Sequence, residues 1–298
     1  VITSPRPLRD HGFGAAPESG HYEQLSPLIG RLCAPNPGPL TGPGTNTYFI
    51  GGADSPLVVL DPGPKDGTHL ANIERVIAER NATIGWIVLT HHHIDHAPLA
   101  QTLSQRSGAP VVAHGHEKGV TPDVRIDERW HLTTGSVSLR AIATPGHASD
   151  HCCFLLEEEG VLFSGDHLMD GVTVVISPPD GDLKIYEDSL CRIEDPRLGI
   201  RSVAPGHGRL LREPGAVVEE VRQHRRAREE KIISHLSKEA VTIDELVVRA
   251  YDDLSDARLL PYAKRSLWAH LRKLHQLGVV ERLGEGETEQ ESSRWRTT

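Results

Sequence analysis

From Asn46 onward, short apolar runs alternate with helically spaced segments, and each run stops at a polar cluster. Runs 47–50 and 57–60 have strand length and β-branched content, and the second closes on Asp61-Pro62-Gly63, a turn signal. Between His69 and Arg80, Leu70, Ile73, Val76 and Ile77 recur at helical spacing. The apolar run 86–89 empties into Thr90-His91, a helix is expected over 98–107, and 111–113 is a further strand. The second half repeats the style. An alternating strand over 137–142 stops at Thr144-Pro145-Gly146-His147, and 152–156 and 161–163 form a hairpin around Glu157-Glu158-Glu159-Gly160. A strand over 202–204, following a helix over 182–193, stops at Pro205-Gly206-His207-Gly208. Residues 1–40, rich in Pro and Gly, are expected to wrap the surface with one short strand near 28–33.

A boundary is expected near Pro214, giving domains 1–215 and 216–298. A long helix over 217–237, bent or broken near Arg225–Arg228, precedes a helix over 242–251. Thr242 caps that helix, with Glu245 at the capping-box position. A helix over 261–277 stopped by Gly278 and a strand over 279–283 complete the order of a winged helix. The tail from Gly284 is polar and expected to fray. Strands alternating with helices imply an α/β class of layered sheets covered by helices.

Composition narrows the partners. Hydrophobic residues make up 38% of the 298, enough for a core, and the net charge of −9 leaves no footprint for bulk nucleic-acid binding. No stretch is apolar enough to span a bilayer. The first 19 residues lack a signal-peptide pattern, although the chain does not begin with Met, and Cys33, Cys152, Cys153 and Cys191 form no disulfide framework. A cytoplasmic protein with reduced thiols, three of them in the core, is the expectation.

Eighteen histidines make position the question. In Thr90-His91-His92-His93-Ile94-Asp95-His96, four metal-ligand candidates fall within six residues at a strand end. His91 and His93 alternate and share a side in extended backbone; His92 is out of register and expected to point elsewhere. Four apolar strands in all end in a His or Asp beside Gly or Thr, on loops above a sheet. His114 and His116 also alternate, but nothing around them suggests ligation, and a solvent-exposed loop is expected there. His167 is expected to face away from Asp166.

Thr90-His91-x-His93-x-Asp95-His96 resembles the signature of the metallo-β-lactamase superfamily. Asp61, His147, Asp166 and His207 stand in motifs similar in order and spacing to that family's, over roughly residues 45–210. The resemblance implies an αββα sandwich with His91, His93 and His147 on one metal, Asp95, His96 and His207 on a second, and Asp166 bridging them. It places Asp61 behind the ligands as an orienting residue; Asp150 and His151 are given a similar supporting role by their nearness in sequence. Two zinc ions are favoured, while iron and manganese accept the same ligand types. The implied chemistry is attack on a carbonyl by a metal-bridging hydroxide, with Asp95 steering the nucleophile and relaying a proton.

Asp166 and the missing signal count against a true β-lactamase, and glyoxalase II differs in its C-terminal region. Gly44-Thr45-Asn46-Thr47-Tyr48, Gly146–His151, Pro179–Leu183 and His224-Arg225-Arg226-Ala227-Arg228-Glu229 resemble the β-lactamase-like protein 2 group, which includes an endoribonuclease and thioester-cleaving members. A small ester or thioester is the expected substrate; a lactone, an amide, a β-lactam and single-stranded RNA stay open. The winged helix can wall the active site, contact nucleic acid through Lys264, Arg265, Arg272 and Lys273, or support folding or a homodimer. The first is favoured. The contrasting class is a winged-helix regulator with a vestigial metal site, against which the complete ligand set argues.

Overall fold

The computed structural model describes residues 8–52, 55–114, 119–254, 256–284 and 293–298. One seven-stranded sheet runs β2 (Tyr22–Gln24), β3 (Ile29–Cys33), β4 (Asn46–Ile50), β5 (Leu57–Leu60), β6 (Ile84–Leu89), β7 (Val111–His114) and β8 (Val124–Ile126) in that order. The other holds β1 (Gly12–Phe13), β9 (His131–Thr134), β10 (Val137–Ala143), β11 (Cys152–Leu156), β12 (Val161–Gly165), β13 (Ser202–Pro205) and β14 (Leu210–Arg212), ordered β1-β14-β13-β12-β11-β10-β9.

Strand alternation builds the layers. Val58, Leu60 and Val88 of the first sheet meet Leu139, Phe154 and Phe163 of the second in a shared core. Leu57, Val59, Ile87 and Leu89 point the other way, against α1 (Gly67–Glu79) and α2 (Ala100–Ser107). On the far side, Cys153, Leu155 and Leu162 pack against α3 (Leu183–Ile193) and α4 (Pro214–Ser234). Both faces of each central strand are therefore buried, which is why these strands read as unbroken apolar runs. The layering is the αββα sandwich that the sequence led us to expect. Cys33, Cys152 and Cys153 are buried and Cys191 is exposed, all as free thiols.

Beyond the sandwich, α5 (Ile243–Ala250), α6 (Leu260–Gln276) and a three-stranded sheet ordered β15 (Val241–Thr242), β17 (Arg294–Thr297), β16 (Val280–Leu283) form a winged helix. Thr242 accepts from the Glu245 backbone N–H and Glu245 accepts from that of Thr242, so the expected capping box is present. Among the described residues, no helix is long and apolar enough to cross a membrane.

Four expectations need correction. Helix α4 runs unbroken through Arg225–Arg228, because both arginines are buried and hydrogen-bonded rather than interrupting the packed face. Of the tail expected to fray, 285–292 lie outside the described residues, but Arg294–Thr297 is the middle strand of the wing sheet, and Trp295 is fully buried. The described residues before 40 supply three strands, since β1 pairs with β14 and β2 with β3. His114 is not on a loop but ends β7, opposite Ile126; His116 lies outside the described residues.

Candidate metal centre

Five strand ends converge at one edge of the sandwich. Asp61 follows β5, Thr90–His96 follows β6, His147 follows β10, Asp166 follows β12 and His207 follows β13. The loops are tightly held. Asn46 donates from its backbone to Gly206 O (2.7 Å) and from its side chain to Pro205 O and Gly208 O, while Tyr48 donates its hydroxyl to Pro205 O (2.8 Å). Arg31, buried in β3, also donates to Gly208 O. Only glycine fits at 206, because a Cβ there would stand 2.6 Å from the His96 ring and 2.8 Å from Asp166 Oδ1.

Two clusters of ligand atoms result. His91 Nε2 and His147 Nε2 each lie 3.0 Å from His93 Nδ1. Asp95 Oδ2 lies 3.3 Å from His207 Nε2 and 3.6 Å from His96 Nε2. Each trio is compact enough to hold one metal ion, as is the overlapping trio His91, His96 and Asp166. Asp166 stands between the clusters. Its Oδ1 is 3.3 Å from His96 Nε2 and 3.4 Å from His207 Nε2, and its Oδ2 is 3.5 Å from His147 Nε2.

The far sides of the rings explain why lone pairs face inward. His91 Nδ1 meets Thr90 Oγ1 at 2.9 Å, and that hydroxyl donates onward to Asp61 Oδ2 at 2.7 Å. His96 Nδ1 donates to Asp61 Oδ2 at 2.9 Å, His147 Nδ1 to Val175 O at 2.8 Å, and His207 Nδ1 to Gly44 O at 3.2 Å. With Nδ1 carrying the proton, each Nε2 presents its lone pair to the centre, the arrangement a metal requires. His96 Nε2 and Asp166 Oδ1 are buried with no aligned hydrogen-bond partner. Such orphaned atoms are costly unless something else satisfies them, and a cation fits that need.

Electrostatics agree. Burial and neighbouring histidines hold His91 well below its ordinary pKa, and burial and His147 bring His93 to about 3, so both stay neutral. Burial opposes charge on Asp95, but His96 and His207 bring it to about 2. Burial likewise opposes charge on Asp166, yet His207, His96 and His147 keep it ionised. His96 is the converse. Burial would lower its pKa, but Asp95, Asp166 and Asp61 raise it well above the usual range. The field that favours a proton there would favour a metal cation equally.

The neighbours fall as follows. His92 turns away, its Nδ1 2.8 Å from Asp150 Oδ1 and its Nε2 3.6 Å from Asp180 Oδ2. With His93 and Asp180 it forms a further, more exposed trio. Asp150 thus touches His92, whereas His151 accepts from the Asp166 backbone N–H at 3.2 Å and bonds Thr144 Oγ1 at 2.9 Å. The His167 ring lies 4.9 Å from that of Tyr186. Thr90, Asn46, Tyr48 and Arg31 were not singled out as site residues from the sequence. The available signals were a charge inside the apolar run 29–33 and a hydroxyl directly before His91.

The centre forms the floor of a cavity of about 670 Å³. Leu40, Met169, Val172, Val174 and Pro178 give it apolar walls, and Pro261, Tyr262 and Arg265 of α6 close one side. The basic residues of α6 are engaged. Lys264 pairs with Asp244, Lys273 with Glu187 (2.6 Å) and Glu229 (2.8 Å), and Arg265 donates to Pro178 O.

Residues 40–207 match the metallo-beta-lactamase superfamily, and residues 242–295 match the beta-lactamase associated winged helix domain. A beta-lactamase-like protein 2 homolog from Caenorhabditis elegans is 33% identical over 266 residues, covering 87% of this chain and 88% of that protein. An atrochrysone carboxyl ACP thioesterase from Passalora fulva is 33% identical over 260 residues, covering 83% and 75%. A metallo-beta-lactamase family protein from Thermus thermophilus superposes with a TM-score of 0.77 at 25% identity, covering 92% of this chain and all of that one. With five ordered motifs, the layered fold and a match over more than half its length, the chain belongs to the metallo-beta-lactamase superfamily of hydrolases.

Proposed function

We propose that the chain is a dinuclear zinc hydrolase acting on a thioester or another activated ester with a bulky apolar acyl group. The observation carrying this reading is Asp166, whose two carboxylate oxygens face different clusters. His91, His93 and His147 would hold one zinc, Asp95, His96 and His207 the other, and Asp166 would bridge. Histidine and carboxylate without cysteine suit zinc, and also iron or manganese. When bound, such a pair supplies Lewis acidity and a water acidified toward neutral pH.

The remaining roles belong to this chain's own residues. Asp61 orients His96 and, through Thr90, His91. His151 steadies the backbone of Asp166, and Asp150 holds His92 aside. Asp95, held ionised by His96 and His207, orients the attacking water and carries a proton on its carboxylate to the leaving thiolate or alkoxide. Residues 1–215 carry this chemistry, and 216–298 wall the cavity. Its size lies in the range of small-molecule sites. The engaged lysines of α6 and the thioesterase among the relatives favour a small carbonyl substrate over RNA.

The test is the zinc-loaded protein assayed against acyl thioesters, lactones, a β-lactam and single-stranded RNA. Thioester turnover is expected, falling roughly 100-fold or more in Asp95→Ala. RNA cleavage with thioesters untouched would overturn the substrate. Full activity in Asp95→Ala at unchanged metal content would remove Asp95 from the mechanism.

A further inference from the structure

We infer that Arg225, on the helix leading into the winged helix, is a positioning residue for the metal centre, clamping the two segments that hold His147 and Asp166. The inference rests on the reading of His147 as a metal ligand. Nothing in the chemistry above uses the run His224–Glu229, yet Arg225 is only 2% exposed. Its Nη2 donates to Val174 O at 2.5 Å, and its guanidinium carbon lies 5.4 Å from the centre of the Tyr186 ring.

Each contact leads to the site. Val174 is bonded to Val175, whose carbonyl accepts the hydrogen bond from His147 Nδ1–H. A grip on the Val174 carbonyl fixes the peptide plane that feeds directly into that acceptor. On the other side, Tyr186 supports the loop before His147. A Cβ at Gly146 would come 2.3 Å from Tyr186 Cα, so backbone touches backbone there, at a φ of +131° that glycine tolerates. The Tyr186 hydroxyl donates to His167 O at 2.8 Å, one residue after Asp166. One guanidinium thus holds the acceptor of His147 and the ring that anchors the Asp166–His167 backbone.

Arginine suits this task. Its planar fork donates to a carbonyl while its face lies against an aromatic ring. Arg228, three residues on, makes a useful contrast. It pairs with Asp253 at 3.0 Å, donates to Ala250 O and lies 4.0 Å from the centre of the Tyr251 ring. Those partners all lie within the winged-helix region. Arg228 ties α4 to α5, whereas Arg225 reaches out to the loop holding Val174 and to Tyr186 of α3, beside the metal centre. The consequence is that the helix preceding the appended domain helps to retain metal.

The experiment uses the full chain with Arg225→Met, Arg225→Lys, Arg228→Lys and His147→Ala. Zinc affinity is measured by competition with a chromogenic chelator, ligand geometry by the visible spectrum of the cobalt-loaded protein, and stability by thermal unfolding in EDTA. Arg225→Met should bind zinc roughly ten-fold more weakly, the lower end for residues supporting a ligand from behind, with an altered cobalt spectrum. Arg225→Lys should fall between it and the wild type. Arg228→Lys should melt earlier yet keep wild-type affinity and spectrum. Wild-type affinity and spectrum in Arg225→Met would overturn the inference; should that variant not fold, Arg225→Lys carries the same criterion. His147→Ala separates the underlying reading. If it retains zinc as the wild type does, the ligand assignment fails; if it loses zinc while the Arg225 variants do not, only the role of Arg225 fails.

Discussion

Asp61 closes β5 with a φ of +49° and is almost wholly buried. Its Oδ1 accepts from the Thr90 backbone N–H at 2.8 Å, and its Oδ2 accepts from Thr90 Oγ1 and His96 Nδ1. Asp61→Ala would leave three buried donors without an acceptor and put alanine in the left-handed region. The expected cost is about 3 kcal/mol or more, read as a lower unfolding midpoint of the metal-free protein, with zinc affinity roughly ten-fold lower. Wild-type stability and zinc affinity together would remove Asp61 from its orienting role. The ligand types of Thr90–His96 were legible from their spacing at a strand end, whereas the joining of His147, Asp166 and His207 to them was implied by the resemblance to the metallo-β-lactamase signature. Their supports were less so. Val175 and Gly44 act through backbone carbonyls, which any residue possesses, and Thr90, Asn46 and Tyr48 are ordinary strand residues until the loops they hold are known. His92 was separable from its neighbours by register alone, but its bond to Asp150 was not foreseeable from spacing.

Among the elements, α5 depends on its capping box. Thr242→Ala removes the acceptor for the Glu245 N–H and should cost about 1 kcal/mol, measured by chemical denaturation of the wing-side transition. Trp295 should matter more. It lies opposite Arg282 and Val241 in β17, fully buried, so Trp295→Ala should cost roughly 3–5 kcal/mol. Loss of less than about 1 kcal/mol would show that β17 is dispensable. The central strands of the sandwich were readable because each buries two faces and writes a continuous apolar run, and its helices because each buries one face and writes a periodic one. The edges were not. Strands such as β1 (two residues) and β15 (two residues) are too short for any period to register. Helix α4 misled for a different reason. Its buried face includes His224, Arg225 and Arg228, so a search for apolar spacing finds a gap where the packing in fact continues.

For the molecule as a whole, those same polar residues make attachment of the winged helix sensitive to acid. His270 lies 3.2 Å from Glu229, which also pairs with Lys273, and Lys273 in turn reaches Glu187 of α3. Burial, then the positive charge of Arg225 and Arg228, brings His224 to about 3. Burial brings His270 to about 4 even though Glu229 favours its proton. Burial also brings His69, under the first sheet, to about 4. In the unfolded chain each would protonate near pH 6.5. Between about pH 6.5 and about 4 the unfolded state therefore binds more protons than the folded one, and stability falls as pH falls. Each such histidine contributes up to about 1.4 kcal/mol per pH unit. Glu229 adds to the loss lower down, since His270 and Lys273 hold its carboxyl below the usual range against the effect of burial. In the metal-free protein His96 works oppositely, its raised pKa giving stability that is present below 6.5 and lost as pH rises through the folded value. The urea midpoint in EDTA should accordingly drop from about pH 6.5 to about pH 5, and His224→Leu, which cannot titrate, should flatten that slope. An unchanged slope in His224→Leu would mean that His224 is not held neutral between the helices, and the acid response would then originate at the other buried histidines, His270, His69 and, in the metal-free protein, His91 and His93.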